Sequence, residues 1–117
     1  MMTRETVFKY AKEKYGTIPD HPWKKYPKYA ILRHLKNQKW YGAVINIPRN
    51  KLGLNGDDAV DVLNVKCEKD LAILLKDNKA IFSAYHMNKK NWISILLEKA
   101  ENKMVFDLIS QSYKITL

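Results

Sequence analysis

Val7, Phe8, Ala11 and Tyr15 recur at helical spacing behind Thr3, a side chain suited to accept from the first free N–H groups, and Gly16 supplies a stop. Residues 4–15 are therefore predicted as a helix. The next stretch breaks that period. Pro19, Pro22 and Pro27 fix φ and remove donors, so residues 18–27 are expected as a loop, pinned by Trp23 and Tyr26. Residues 29–35 and 40–47 are dense in aromatic and β-branched side chains and are joined by the polar Lys36-Asn37-Gln38-Lys39, the pattern of a hairpin. Pro48 ends the second of these strands. Residues 49–58, with Gly53 and Asn55-Gly56, then read as an irregular crossing to a third strand at 60–66.

Glu68 suits the positive end of a helix dipole, and Leu71, Leu74 and Leu75 give residues 68–76 one apolar face, so a short helix is expected there. Residues 81–86 and 92–97 read as a second strand pair, joined by Met87-Asn88-Lys89-Lys90-Asn91. Val105, Leu108, Ile109 and Ser112 follow the i, i+3, i+4, i+7 rule and predict a closing helix over 101–113. Together these elements predict an α+β fold: an antiparallel sheet of about five strands, in two hairpins plus one strand, covered on one face by N-terminal, middle and C-terminal helices. No repeat or interdomain linker interrupts the pattern, and 117 residues suit one core, so a single domain over 1–117 is expected.

Composition narrows the setting. The longest apolar run, residues 71–75, falls far short of the roughly 18–20 residues of a membrane span. The N-terminal residues lack the apolar block of a secretory signal, so a cytoplasmic protein with no membrane partner is expected. The lone Cys67 can close no internal disulfide and offers a metal one thiolate, which fits a reducing compartment. Charge is distributed unevenly: residues 1–50 hold eleven Lys and Arg against three Asp and Glu, whereas residues 51–117 hold ten against nine. Such a field favours anionic partners such as nucleic acid, although a surface simply solvated by lysine has the same balance.

Catalytic chemistry finds little footing. His21, His34 and His86 are scattered, no Ser or Thr sits in a nucleophile elbow, and Cys67 has no adjacent His. His86 reads as a buried or hydrogen-bonded structural histidine rather than a general base. Asp57, Asp58 and Asp61 lack the Gly and distal Glu of a calcium loop, and no glycine-rich phosphate loop is present. A non-enzyme with no cofactor and no metal is the expectation.

Three blocks carry a resemblance: Leu63-Asn64-Val65-Lys66-Cys67, then Tyr85-His86-Met87-Asn88-Lys89-Lys90-Asn91-Trp92, then Ser112-Tyr113-Lys114-Ile115-Thr116. In this order and spacing they resemble the MmcQ/YjbR-like family of small bacterial proteins, and the segment Tyr26-Pro27 through Arg33-His34, with Lys39-Trp40-Tyr41, extends the similarity over roughly residues 18–117. The resemblance implies a compact α+β domain similar to the double-wing DNA-binding fold, with β-hairpins facing the duplex. That implication rests on fold analogy. This chain departs from the family pattern at Asn91, where a His commonly precedes the tryptophan, and at Ser83, where a Pro commonly precedes Ala-Tyr. If the family site uses that imidazole, it is missing here.

Two expected hairpin tips hold the candidate nucleic-acid contacts. Asn88, Lys89 and Lys90 sit on one of them, bracketed by Tyr85, His86 and Trp92, where cations reach phosphates and aromatics stack or wedge. The structural alternative makes Tyr85, Met87 and Trp92 sheet packing and Asn88 a turn former. Arg33, Lys36 and Lys39 form the other tip, and Lys24, Lys25 and Lys28 lie in the proline loop. The expected role is DNA binding through phosphates with little sequence preference. The rival is a protein-interaction or small anionic-ligand-binding domain, with a closed pocket around His34, Tyr85 and His86. Monomer and weak dimer are equally compatible with these residues.

Overall fold

The computed structural model describes residues 2–117. Helix α1 (Arg4–Tyr15) forms where the period places it: Thr3 Oγ1 accepts from the Thr6 amide at 3.3 Å, and Gly16 adopts φ 70° as the chain turns back on the Ala11 and Lys12 carbonyls. The strands are β1 (Ala30–Arg33), β2 (Trp40–Pro48), β3 (Ala59–Lys66), β4 (Ile81–Ser83) and β5 (Trp92–Leu96). They make one antiparallel sheet in the order β1-β2-β3-β5-β4. Helix α2 (Lys69–Leu75) follows β3 and helix α3 (Asn102–Ile115) closes the chain; 3-10 turns at Arg49–Leu52 and Leu97–Lys99 complete the path. The α+β architecture and both hairpins stand as predicted.

Alternation along the strands sorts their side chains between two apolar clusters. Leu32, Leu63, Val65, Ile93 and Ile95 meet Val7 and Ala11 of α1 and Val105, Leu108 and Ile109 of α3 in the main core. On the other face Ile45, Ile47, Val60, Val62, Phe82 and Leu96 form a smaller cluster, roofed by Tyr29, Leu52, Leu54 and Tyr85 from loops. Both sheet faces are thus covered, one by helices and one by irregular chain. An ion pair fixes α1 to β3: Arg4 donates to both Asp61 oxygens at 2.8 and 2.9 Å, and Asn46 adds a third bond at 2.8 Å. Burial alone would raise the Asp61 carboxyl, but the bonds from Arg4 and Asn46 outweigh it and hold the pKa below its ordinary value.

Three predicted elements are corrected. The strand expected at 81–86 stops at Ser83, because side chains rather than a neighbouring strand take the backbone groups of Tyr85, and His86 turns to φ 65°. Leu74 does not share an inward face with Leu71 and Leu75: it is 81% exposed, Ile73 is 67% exposed, and Ala72 is the fully buried residue of α2. The first strand also begins and ends closer in than 29–35, as Arg33 meets a bulge and His34 enters the turn.

The bulge decides which aromatic side chains reach which face. Leu32 pairs with Gly42 but Arg33 with Trp40, leaving Tyr41 as the extra residue. Tyr41 and Gly42 consequently both face the main core, where a Cβ on Gly42 would lie 3.1 Å from Leu32 Cδ1, and Trp40 is thrown onto the opposite face.

Candidate functional site

The proline loop builds one wall of a pocket on the face away from the helices. Two consecutive turns, closed by Tyr26 N–H to Trp23 O at 3.1 Å and Tyr29 N–H to Tyr26 O at 3.0 Å, give residues 23–29 a three-residue period. Trp23, Tyr26 and Tyr29 all line the pocket, and exposed Lys24, Lys25 and Lys28 occupy the turn corners. Asp20 pairs with Ile31 through both backbone groups at 2.9 and 2.8 Å, which ties the loop along the outer edge of β1 and blunts that edge.

Trp40, delivered by the bulge, faces Trp23 at 5.9 Å and 80°. Arg33 lies 5.5 Å over the Trp40 ring while bonding Asp20 at 3.1 Å and the Gln38 carbonyl at 3.3 Å. The remaining wall is His86 with Met87, and the floor is Ile31, Ala43, Ile45 and Asn64. The cavity holds about 240 Å³. Burial, reinforced by Tyr85 and Tyr26, raises the Tyr29 phenol, so it stays neutral as a donor and acceptor.

His86 is held there by a buried polar clamp. Asn64, from β3, donates to the Tyr85 carbonyl at 2.9 Å; Ser94, from β5, accepts from the Tyr85 amide at 2.9 Å; and the Ser94 hydroxyl donates to Asn64 Oδ1. Every backbone polar group of Tyr85 is thereby satisfied inside the fold, and the next residue, His86, lies in the left-handed region at φ 65°. The prediction of a buried or hydrogen-bonded His86 is corrected: the side chain is exposed, rests 4.0 Å from the Tyr85 ring and makes no hydrogen bond among the described residues.

The buried histidine is His34. Its Nε2 lies 2.6 Å from Thr116 Oγ1, which itself donates to the Ser112 carbonyl, so the imidazole carries its proton on Nε2 and leaves Nδ1 as an acceptor without a partner. Burial, aided by Lys39, lowers its pKa. Because His34 lies against Tyr41 and Tyr113 on the helix side, the expected pocket joining it to Tyr85 and His86 does not form.

The other candidate residues divide by role. The strand register puts the turn after β1 and the turn after β4 at the same end of the sheet, on its two outer edges, which four strand spacings set roughly 19 Å apart. Lys36, Lys39 and Lys90 are exposed there, and Lys66 lies at the same end of β3. Lys89 is tied down, donating to the Ala84 carbonyl at 2.7 Å. Asn88 shapes its turn: its side chain accepts from Lys90 N–H at 2.9 Å and its carbonyl from Trp92 N–H at 3.0 Å. Tyr85 packs half-buried on the second cluster, and Trp92 lines a separate groove of about 200 Å³ with Lys69, Lys76 and Phe82, which leaves neither as a projecting wedge. Asn91 is exposed and does not line the aromatic pocket. All three arginines pair with carboxylates, Arg4 with Asp61, Arg33 with Asp20, and Arg49 with Asp58 and Glu98, so the surplus charge resides on lysine.

Trp23 and Tyr26, expected as loop packing, and Trp40 and Tyr29, outside the expected site, all line this pocket. The 23-26-29 spacing of aromatics was the available signal. No group of three or more His, Cys, Asp or Glu capable of holding a metal occurs among the described residues, and no described helix is long and apolar enough to cross a membrane.

The chain is similar to known proteins over nearly its full length. The chain is 49% identical over 117 residues to the uncharacterized Bacillus subtilis (strain 168) protein YyaQ, covering 99% of each. A crystal structure of a Pseudomonas syringae protein superposes with a TM-score of 0.96 at 44% identity, covering 99% of this chain and 100% of that one. A Deinococcus radiodurans protein, at 17% identity and a TM-score of 0.73 over 98% of this chain and 78% of its own, shares the fold. The family model described as YjbR matches residues 12–115, nearly the full length, and the chain belongs to the YjbR family.

Proposed function

We propose that the chain binds nucleic acid without catalysis, holding phosphates on lysines at the turn end of the sheet and in the proline loop. The observation that carries this is the shared end of the two hairpin turns, where Lys36, Lys39, Lys66 and Lys90 make no ion pair among the described residues. Lysine engages phosphate as a point charge, and phosphate contacts position a strand without reading its bases, so the expected binding has little sequence preference. Arg33 contributes by bracing the loop and Trp40 rather than by reaching out.

The test is an anisotropy titration with labelled oligonucleotides at about 50 and 200 mM salt. Binding should weaken steeply with salt, and replacing Lys36, Lys39 and Lys90 together by Gln should flatten the log–log slope by about two on a single strand, given roughly 0.7 per phosphate contact. Lys89 is unsuited to this test because its ammonium holds the turn. Absence of binding at the lower salt, or an unchanged slope in the triple variant, overturns the proposal. The aromatic pocket favours a second reading, a domain for a small planar ligand; a mononucleotide competitor separates the two.

A further inference from the structure

We infer that the aromatic pocket on the loop-covered sheet face takes a single unpaired nucleobase, making a single strand rather than a duplex the preferred ligand; this rests on the nucleic-acid reading above. The walls are flat, and while Tyr26 and Tyr29 stack on each other at 5.0 Å and 21°, the two tryptophans do not. Trp23 meets Trp40 at 80° and Tyr29 at 86°, so their ring faces are not stacked together, and Arg33 lies over the Trp40 ring as a cation. Base–aromatic stacking tolerates any base, because every base presents a π-face.

Charge selects among planar or aromatic-seeking ligands. No carboxylate lines the pocket, and Lys24, Lys25 and Lys28 share the two turns that carry its aromatics. An ammonium-recognising cage would be opposed by these cations, whereas a base followed along its strand by phosphates is favoured. Size narrows the choice further. At about 240 Å³ the cavity lies below the roughly 300–1,000 Å³ of sites for drug-sized ligands, so it suits one ring system and excludes an intact base pair. The lining is almost wholly apolar, so a base would be held there by stacking rather than by hydrogen bonds to its edges. A duplex would have to extrude a base to use the site, at a few kcal/mol of unstacking, whereas a single strand presents one already.

Binding is measured by tryptophan quenching and anisotropy with four probes at one salt concentration: a 12-residue thymidylate strand, an abasic strand of equal length and charge, the matching duplex, and thymidine monophosphate as competitor. The thymidylate strand should bind at least about tenfold tighter than the abasic strand and the duplex. Trp40→Ala should abolish that advantage while leaving the salt slope unchanged. Tyr26→Ala, at an exposed loop position, repeats the test without touching the sheet. If all strands bind but the abasic one binds equally well, or if both variants keep the thymidylate preference, the pocket inference falls and phosphate binding stands. If no strand binds, both fall. If the monophosphate competes as tightly as the strand, the occupant is a free nucleotide and the strand inference is overturned.

Discussion

Ser112→Ala should be the most informative single substitution for the fold. The β2–β3 ladder ends at Ala43 opposite Asn64, and one pleat further it would set Tyr41 opposite Lys66. There the Ser112 hydroxyl from α3 stands between the strands instead, accepting from Lys66 N–H at 2.9 Å and donating to the Tyr41 carbonyl at 2.7 Å. Ser112 and Tyr41 are both fully buried. Removing the hydroxyl leaves one amide and one carbonyl without partners, about 1–3 kcal/mol each when they stay dry. Alanine returns roughly 0.5 kcal/mol of helix propensity. The expected loss is therefore about 1.5–5.5 kcal/mol, read as a lower urea midpoint at unchanged slope. Gln111→Ala, one residue away on the exposed side of the same helix, should stay within about 0.5 kcal/mol. A loss below about 0.5 kcal/mol for Ser112→Ala would mean that the strands close directly, and the bridging role would be wrong.

Other outcomes rest on the same kinds of contact. With its folded pKa lowered by burial, His34 contributes stability that is present above its unfolded value near 6.5 and is lost as pH falls below that; urea midpoints between pH 7.5 and 5.5 should drop more for the wild type than for His34→Gln, and parallel drops would refute this. Asp61 is likewise held low, so its contribution is present above about pH 4 and disappears as pH falls through the folded value; a double-mutant cycle of Arg4→Met and Asp61→Asn at pH 7 should give a coupling of about 1 kcal/mol that weakens as pH falls below about 4, and zero coupling at pH 7 would refute the clamp. Leu74→Ser should leave stability within about 0.5 kcal/mol, whereas Leu71→Ser should cost more; equal losses would restore the inward Leu74.

Much of the fold was legible because apolar period and turn chemistry agree locally: α1 has its Thr3 and Gly16 caps, α3 its four inward positions, and each hairpin a polar turn. The site was less so. A bulge of one residue at Tyr41 reverses the faces of Trp40 and Tyr41, and no alternation count reveals it. Tyr85 and His86 continue the strand pattern in sequence, yet Asn64 and Ser94, 21 and 9 residues distant from Tyr85, take over its backbone pairing and end the strand. The charge excess was visible, but not that carboxylates from distant segments neutralise every arginine and leave lysine exposed.

The blocks that carried the family resemblance turn out to be partners. Asn64 of the first block clamps Tyr85 of the second, and Ser112 of the third bridges Lys66 of the first to Tyr41. Such a network has an energetic consequence at His86. A non-glycine residue in the left-handed region costs roughly 1–2 kcal/mol, an amount that the two half-buried bonds to Tyr85, about 1 kcal/mol each, can offset. A fold seeking stability alone would place glycine there, so His86→Gly should raise stability by about 0.5–1 kcal/mol, after allowing for the extra chain entropy of glycine, while weakening binding of the thymidylate strand. Lower stability in that variant would mean that the imidazole packs rather than waits for a ligand, and the strain would then have a purely structural origin.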